Sequence, residues 1–177
     1  MGGGGTVADD THERGQVVTK GMSQYARAER SANAGIVVEG SPERDYPGDV
    51  LGGVAFQRHW ERAACVAGGG DYRAPAQRVE DFLANRPSTH LGEVVPSYKP
   101  GVTPTDLSLC LPDFAVESIR EALPAFERKL KGFSMADAVL TGVETRTSSP
   151  IRMPRDETGQ SPGLVGLFPA GEGAGYA

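Results

Sequence analysis

Apolar residues recur every three or four positions in two long stretches of the chain, and this spacing predicts an amphipathic helix in each. The first helix is expected over about 50–67 and ends where three successive glycines follow. The second is expected over about 112–131, where Pro124 removes a backbone hydrogen bond and should kink the helix or divide it in two. A shorter helix is expected over 76–84. The apolar positions of the two long helices are Phe56, Trp60, Ala63 and Ala64, and then Val116, Ile119, Leu123, Phe126 and Leu130.

Short runs of β-branched and apolar residues predict strands before and after these helices. The runs lie at 16–20, at 35–39, in parts of 136–153 and at 164–170. The glycine-rich and then charged residues 1–14 are expected to be disordered. Helices mixed with short, scattered strands predict a mixed α+β fold.

Composition and charge exclude several classes of protein. The 177 residues carry 18 Lys and Arg against 23 Asp and Glu, and this acidic balance argues against nucleic-acid binding. Nowhere does the chain approach the ~20 consecutive apolar residues that would cross a bilayer, so no membrane association is expected. The first residues lack the basic and apolar regions of a secretory signal, and a cytoplasmic location is therefore expected.

Residues that could bind a metal are few and scattered. His12, His59 and His90 have no partner at metal-binding spacing, so no metal site is expected. Cys65 and Cys110 are too few for a disulfide framework and too far apart for a metal motif. They are expected to be reduced, buried thiols.

The C-terminal residues offer the clearest candidate for binding chemistry. Here the predicted last strand leads into alternating glycines around an acid: Gly171, Glu172, Gly173, Ala174 and Gly175. Without a Cβ, such glycines let backbone N–H groups approach a phosphorylated ligand closely. The spacing alone is equally compatible with a flexible glycine tail.

A second candidate segment concentrates hydroxyl groups around two guanidinium groups. It contains Arg146, Thr147, Ser148, Ser149 and Arg152. Arginine donates hydrogen bonds in a fixed fork that suits carboxylates and phosphates, so the segment could form an anion site or one edge of a substrate site. An edge strand and turn with solvated charges is the alternative, and the residues alone favour it.

Long stretches of the chain resemble a family of bacterial FAD-dependent dehydrogenases, or NAD(P)/FAD-dependent oxidoreductases. The two most specific are GVETRTSSPIRM at 142–153 and GLFPAGEGAGYA at 166–177, with further similarity through 105–150 and in shorter stretches nearer the N-terminus. Members of that family are longer and carry an N-terminal Rossmann segment with Gly-x-Gly-x-x-Gly. That segment has no counterpart in these 177 residues.

The resemblance implies an architecture for the chain. Residues 1–135 are expected to form the substrate-side, inserted domain of a Rossmann-type flavoprotein, and 136–177 to form strands that return to its FAD-binding domain, truncated at the C-terminus. The expected function is that of the C-terminal fragment of an FAD-dependent oxidoreductase, a dehydrogenase that transfers hydride between a small organic substrate and FAD. NAD(P) is a candidate electron partner.

The resemblance also implies roles for both candidate segments. Glu172 is expected near the ribityl chain of FAD, and Gly171, Gly173, Ala174 and Gly175 are expected to contact the cofactor through their backbone. The residues expected to line the flavin or the substrate are Arg146, Thr147, Ser148, Ser149 and Arg152. No catalytic base is identifiable. The alternative is a non-enzymatic, truncated or split-gene fragment that needs a partner chain, for example a separate N-terminal FAD-binding chain.

Overall fold

A computed structural model describes residues 5–176 and has a mixed α+β fold with small sheets. By their contacts the residues fall into two compact units. The first unit contains the residues up to Glu39 and His59–Glu144, and the second contains Gly40–Arg58 and the residues from Thr145 onward. Among the described residues, no helix is long and apolar enough to span a membrane.

The elements in chain order are β1 (Gly5–Asp9), β2 (Thr19–Ser23), α1 (Pro42–Asp45), α2 (Gly52–Gly68), β3 (Ala74–Arg78), α3 (Val79–Leu83), β4 (Val102–Pro104), α4 (Asp113–Lys129) and β5 (Val139–Thr141), with short 3₁₀ turns at Leu107–Leu109 and Glu172–Ala174.

The first unit contains both sheets. Strands β1 and β2 form an antiparallel pair, and the Asn33 side chain donates hydrogen bonds to the carbonyl oxygens of Thr6 and Met22, one on each strand. In the second sheet β3 is central, with β4 parallel on one side and β5 antiparallel on the other. Ala76 pairs with both Pro104 and Thr141, so the middle of β3 is held from two sides.

The long helices agree closely with the sequence-based prediction. Helix α2 ends at Gly68, and the φ angles of Gly69 and Gly70 are 107° and 81°, a left-handed conformation that glycine adopts without strain. Helix α4 buries Val116, Ile119 and Leu123 in the core of the first unit.

Helix α4 runs through Pro124 without a break, so of the two expected outcomes, a kink or a division into two helices, the division is wrong. The proline removes one hydrogen bond of the helix, but Leu123 beside it is almost completely buried. The apolar contacts of that turn offset the missing bond.

Several sequence-based strand predictions are wrong in position. Residues 5–9 of the segment expected to be disordered form β1, because they pair with β2 and Val7 donates its N–H to the Ser97 hydroxyl; residues 1–4 lie outside the described residues. The strand expected at 16–20 begins only at Thr19. Residues 35–39 form no strand; Ile36 and Val38 pack against the core without joining a sheet.

The later part of the chain is less regular than expected. Of 76–84, only Val79–Leu83 is helical, because residues up to Arg78 pair with two neighbouring strands. Of 136–153, only β5 is a strand. The strand expected at 164–170 is absent: Gly163 and Gly166 have φ angles of 81° and 85°, which produce turns instead.

The run of apolar residues in this segment is exposed. Val165 is 98% exposed, and Leu164, Leu167 and Phe168 are also exposed. These side chains therefore lack the burial that would hold a strand. The expected boundary between an inserted domain, 1–135, and strands that return to an FAD-binding domain, 136–177, stays a prediction.

Candidate functional site

The candidate site lies in the second unit and is centred on a turn that we call the glycine turn, Gly171–Gly175. Its backbone closes on itself: the N–H of Gly175 donates to the carbonyl of Glu172 at 2.9 Å, and that of Tyr176 to the carbonyl of Gly171 at 3.0 Å. Gly171 has φ 75° and ψ −174°, a region that is essentially restricted to glycine. This segment therefore has a defined conformation and is not a tail without structure.

Residues 149–153 form the surface on which the glycine turn rests. Met153 donates its N–H to the carbonyl of Ala174 at 3.1 Å, and the Ser149 hydroxyl lies 3.1 Å from the carbonyl oxygen of Gly173. A Cβ on Gly175 would lie only 2.8 Å from the carbonyl oxygen of Ile151. Close packing of the two backbones therefore requires glycine at position 175.

The outer side of the glycine turn is open. Gly171, Glu172 and Gly173 are exposed, and among the described residues their N–H groups form no hydrogen bond. A Cβ built on Gly171 or Gly173 would have no atom within 4 Å. Three consecutive exposed residues thus have backbone N–H groups without an acceptor in the described part of the chain, and these can donate to a phosphate or hydroxyl oxygen. These residues fit a phosphorylated cofactor approaching along the backbone.

The structure joins only part of the second predicted segment to the turn. Ser149 contacts Gly173, and the backbone of Arg152 packs against Gly175. Arg152 also places its guanidinium carbon 4.9 Å from the centre of the Tyr176 ring.

The remaining predicted residues directly precede Ser149 in sequence. Arg146 is half-buried, while Thr147 and Ser148 are exposed and have no hydrogen bond to the turn among the described residues. The Gln57 side chain of α2 donates to the carbonyl oxygen of Thr145 at 2.8 Å, which fixes the backbone here.

Sequence reasoning missed two residues that shape the site, Tyr176 and Met153. The Tyr176 hydroxyl donates to the carbonyl oxygen of Met153 at 2.9 Å and so ties the end of the turn to the supporting segment. An aromatic residue directly after the glycines was the available signal. No group of three potential metal ligands forms anywhere in 5–176, and no residue of the site is identifiable as a catalytic base.

Comparison with known proteins identifies a relative and a family. A protein of Clostridium beijerinckii (strain ATCC 51743 / NCIMB 8052), described as an uncharacterized protein, is 47% identical over 174 residues. The match covers 98% of this chain but 33% of the relative, so the chain spans about a third of the length of the curated relative. The family model described as "FAD-dependent protein, C-terminal domain-like" matches residues 1–147, and the chain therefore belongs to this family, as its resemblance to FAD-dependent proteins implied.

Proposed function

We propose that the chain is the C-terminal, substrate-side part of an FAD-dependent oxidoreductase and that its glycine turn contacts the cofactor. Family membership supports the link to FAD. The observation that carries the proposal to particular residues is the row of three exposed residues, Gly171, Glu172 and Gly173, whose N–H groups have no acceptor among the described residues. The rest of the chain would form the part inserted into a Rossmann-type flavoprotein.

Each part of the site has a definable role in this proposal. The N–H groups of the glycine turn donate to oxygen atoms of the cofactor's phosphate and ribityl portion, where no Cβ prevents close approach. The exposed Glu172 carboxylate accepts a hydrogen bond from a ribityl hydroxyl.

The bound flavin supplies the hydride chemistry, and the chain's residues orient it. The substrate is a small organic molecule. The matched family is described by FAD alone, so NAD(P) is not part of the proposal.

A chimera tests the proposal, because the relative is about three times as long and matches 98% of this chain. The 177 residues replace the matching third of the Clostridium beijerinckii protein, and the purified chimera is assayed for visible flavin absorbance per mole of protein. We expect bound FAD in the relative and in the chimera. A chimera that has the circular dichroism spectrum of the relative but holds no flavin would contradict the proposal.

Two substitutions locate the cofactor. Gly173→Ala adds a methyl group where this structure has only open space, so it should leave folding unchanged and weaken FAD binding by obstructing the cofactor. Glu172→Gln should also weaken binding by weakening the hydrogen bond to the ribityl chain. Glu157→Gln is the matched control, since Glu157 is an exposed acid of the same unit. Equal flavin content in all three variants and the parent would remove the glycine turn from the cofactor site.

A further inference from the structure

Two arginine side chains converge on one aromatic ring beside the glycine turn. The guanidinium carbon of Arg155 lies 3.8 Å from the centre of the Tyr176 ring, and that of Arg152 lies 4.9 Å from the same centre. Stacking of this kind is favourable for each cation alone. The two guanidinium carbons therefore lie at most about 8.7 Å apart.

The geometry of this group is fixed from several directions. Arg155 donates to the carbonyl oxygen of Pro169 at 3.2 Å, just before the glycine turn, and stacks on Tyr176 just after it. The Tyr176 hydroxyl in turn donates to Met153, which lies between the two arginines. The ring and the Arg155 guanidinium are thus each held by a hydrogen bond, and Arg152 by its contact with the ring.

The charges of the two arginines are not neutralised within the described residues. Neither Arg152 nor Arg155 forms an ion pair there. Both side chains are exposed and therefore accessible to a ligand. The nearest acid in sequence, Asp156, accepts hydrogen bonds from Thr158 and from the N–H of Gln160. Two arginines on one ring without a counter-charge form a site suited to an oxyanion.

We infer that Arg152 and Arg155, held on the Tyr176 ring, form a binding site for a phosphate-type oxyanion. A guanidinium has five N–H donors, and Arg155 uses one of them on Pro169, so both side chains keep donors for the ligand. The oxyanion comes either from the pyrophosphate of the bound dinucleotide or from a phosphate group of the substrate. The site itself stands on this geometry, whereas the cofactor as its source rests on the proposed function.

The test titrates the full 177-residue chain with inorganic pyrophosphate in an isothermal titration calorimeter at low ionic strength. We expect saturable binding that becomes about tenfold weaker in Arg152→Gln and in Arg155→Gln. Arg44→Gln is the matched control, because Arg44 belongs to the same unit, is exposed and is paired with Asp45. It should bind pyrophosphate as the parent does.

The Arg152→Gln variant keeps the hydrogen bond between Arg155 and Pro169. Weaker pyrophosphate binding in this variant therefore does not arise from a disrupted glycine turn. Absence of saturable binding to the parent chain would overturn the inference. So would unchanged binding in both arginine variants, or equal weakening in Arg44→Gln.

The two sources of the oxyanion are separated by the flavin content of the chimera. If Arg152→Gln lowers it, the cofactor's pyrophosphate occupies the site. If it leaves flavin content unchanged while weakening pyrophosphate binding to the chain, the oxyanion belongs to the substrate. A chimera without flavin, together with arginine-dependent binding of pyrophosphate, would contradict the proposed function and leave the oxyanion site standing.

Discussion

Arg78 and Asp81 form an ion pair at the junction of β3 and α3, with Nε of the arginine 2.9 Å from Oδ2 of the aspartate. Both side chains are largely shielded from water, at 13% and 4% exposure. The other carboxylate oxygen of Asp81 accepts from Arg86 at 2.6 Å, and the Ser88 hydroxyl donates to Oδ2 at 2.8 Å. One buried carboxylate thus connects the strand, the helix and the loop that follows.

Removing this charge should destabilise the fold. Asp81→Asn keeps the size of the side chain but removes the charge to which Arg78, Arg86 and Ser88 donate. Arg78 keeps its ion pairs with Glu80 and Asp137, so the expected cost is that of weakened charge-assisted hydrogen bonds, about 2 kcal/mol. Urea unfolding followed by the fluorescence of Trp60, the single tryptophan, measures the change. The control is Asp71→Asn, since Asp71 pairs with Arg73 but is 56% exposed, and its effect should be near zero. Equal stability of the two variants would contradict a structural role for the buried pair.

The same carboxylate predicts a dependence of stability on pH. Burial by itself would raise the pKa of Asp81, but hydrogen bonds from Arg86, Ser88 and Arg78 outweigh it and lower the pKa from 3.8 to about 2. The folded state therefore binds the proton less readily than the unfolded chain. The contribution is complete above pH 3.8 and is lost as the pH falls through about 2. Urea midpoints measured across this range should fall more steeply in the parent than in Asp81→Asn; parallel curves would refute this.

Tyr98 connects β1 to the rest of the first unit through its hydroxyl. The hydroxyl lies 3.2 Å from both Oδ1 of Asp9 and the carbonyl oxygen of Tyr72. Burial and the nearby Asp9 carboxylate raise the pKa of Tyr98, so it stays protonated and able to donate. Tyr98→Phe should lower the free energy of unfolding by about 1 kcal/mol. Tyr25→Phe is the control, because Tyr25 is fully exposed, and a loss of the same size there would rule out this explanation.

The two long helices could be predicted because apolar residues at helical spacing mark the side that packs on the core. At the end of the α4 pattern, however, Phe126 and Leu130 are exposed. Val116, Ile119 and Leu123 lie on one face of α4 because of their spacing alone, independently of contacts with the rest of the chain. Strand β3 could not be predicted in this way. Its sequence, Ala74–Arg78, has no β-branched residue, and it is extended because β4 and β5 pair with it from both sides.

The strand predicted at 164–170 shows the opposite error. An apolar run indicates a strand only if a neighbour buries it, and Val165 has no such neighbour among the described residues. At the candidate site, the glycines were visible in the sequence. The packing of Arg155 on Tyr176 was not, because it depends on how two segments far apart in sequence meet.

The two cysteines were predicted to be reduced and buried, and the structure confirms that both are free and buried. Burial raises the pKa of the Cys110 thiol to about 12, so very little thiolate forms at neutral pH. Alkylation of Cys110 at pH 8 should therefore be at least about tenfold slower in the folded chain than in urea. Mass spectrometry of the digested protein measures the rate. An added Ser108→Cys, exposed and two positions away, provides the fast reference within the folded chain; modification of Cys110 at that same rate would show that the site opens readily.

The docking of the glycine turn on its supporting segment can be tested apart from any ligand. Gly175 has a φ of 81°, and a Cβ there would lie 2.8 Å from the Ile151 carbonyl oxygen, so Gly175→Ala combines backbone strain with a clash. The strain alone costs about 1–2 kcal/mol, which corresponds to roughly tenfold more of the undocked turn. Trypsin should then cleave faster after Arg152, whose neighbour Met153 is hydrogen-bonded to the docked turn. Gly173→Ala meets open space and should be cleaved at the parent's rate. If both variants were cleaved like the parent, residues 149–153 would not hold the turn, and the cofactor site would have lost its support.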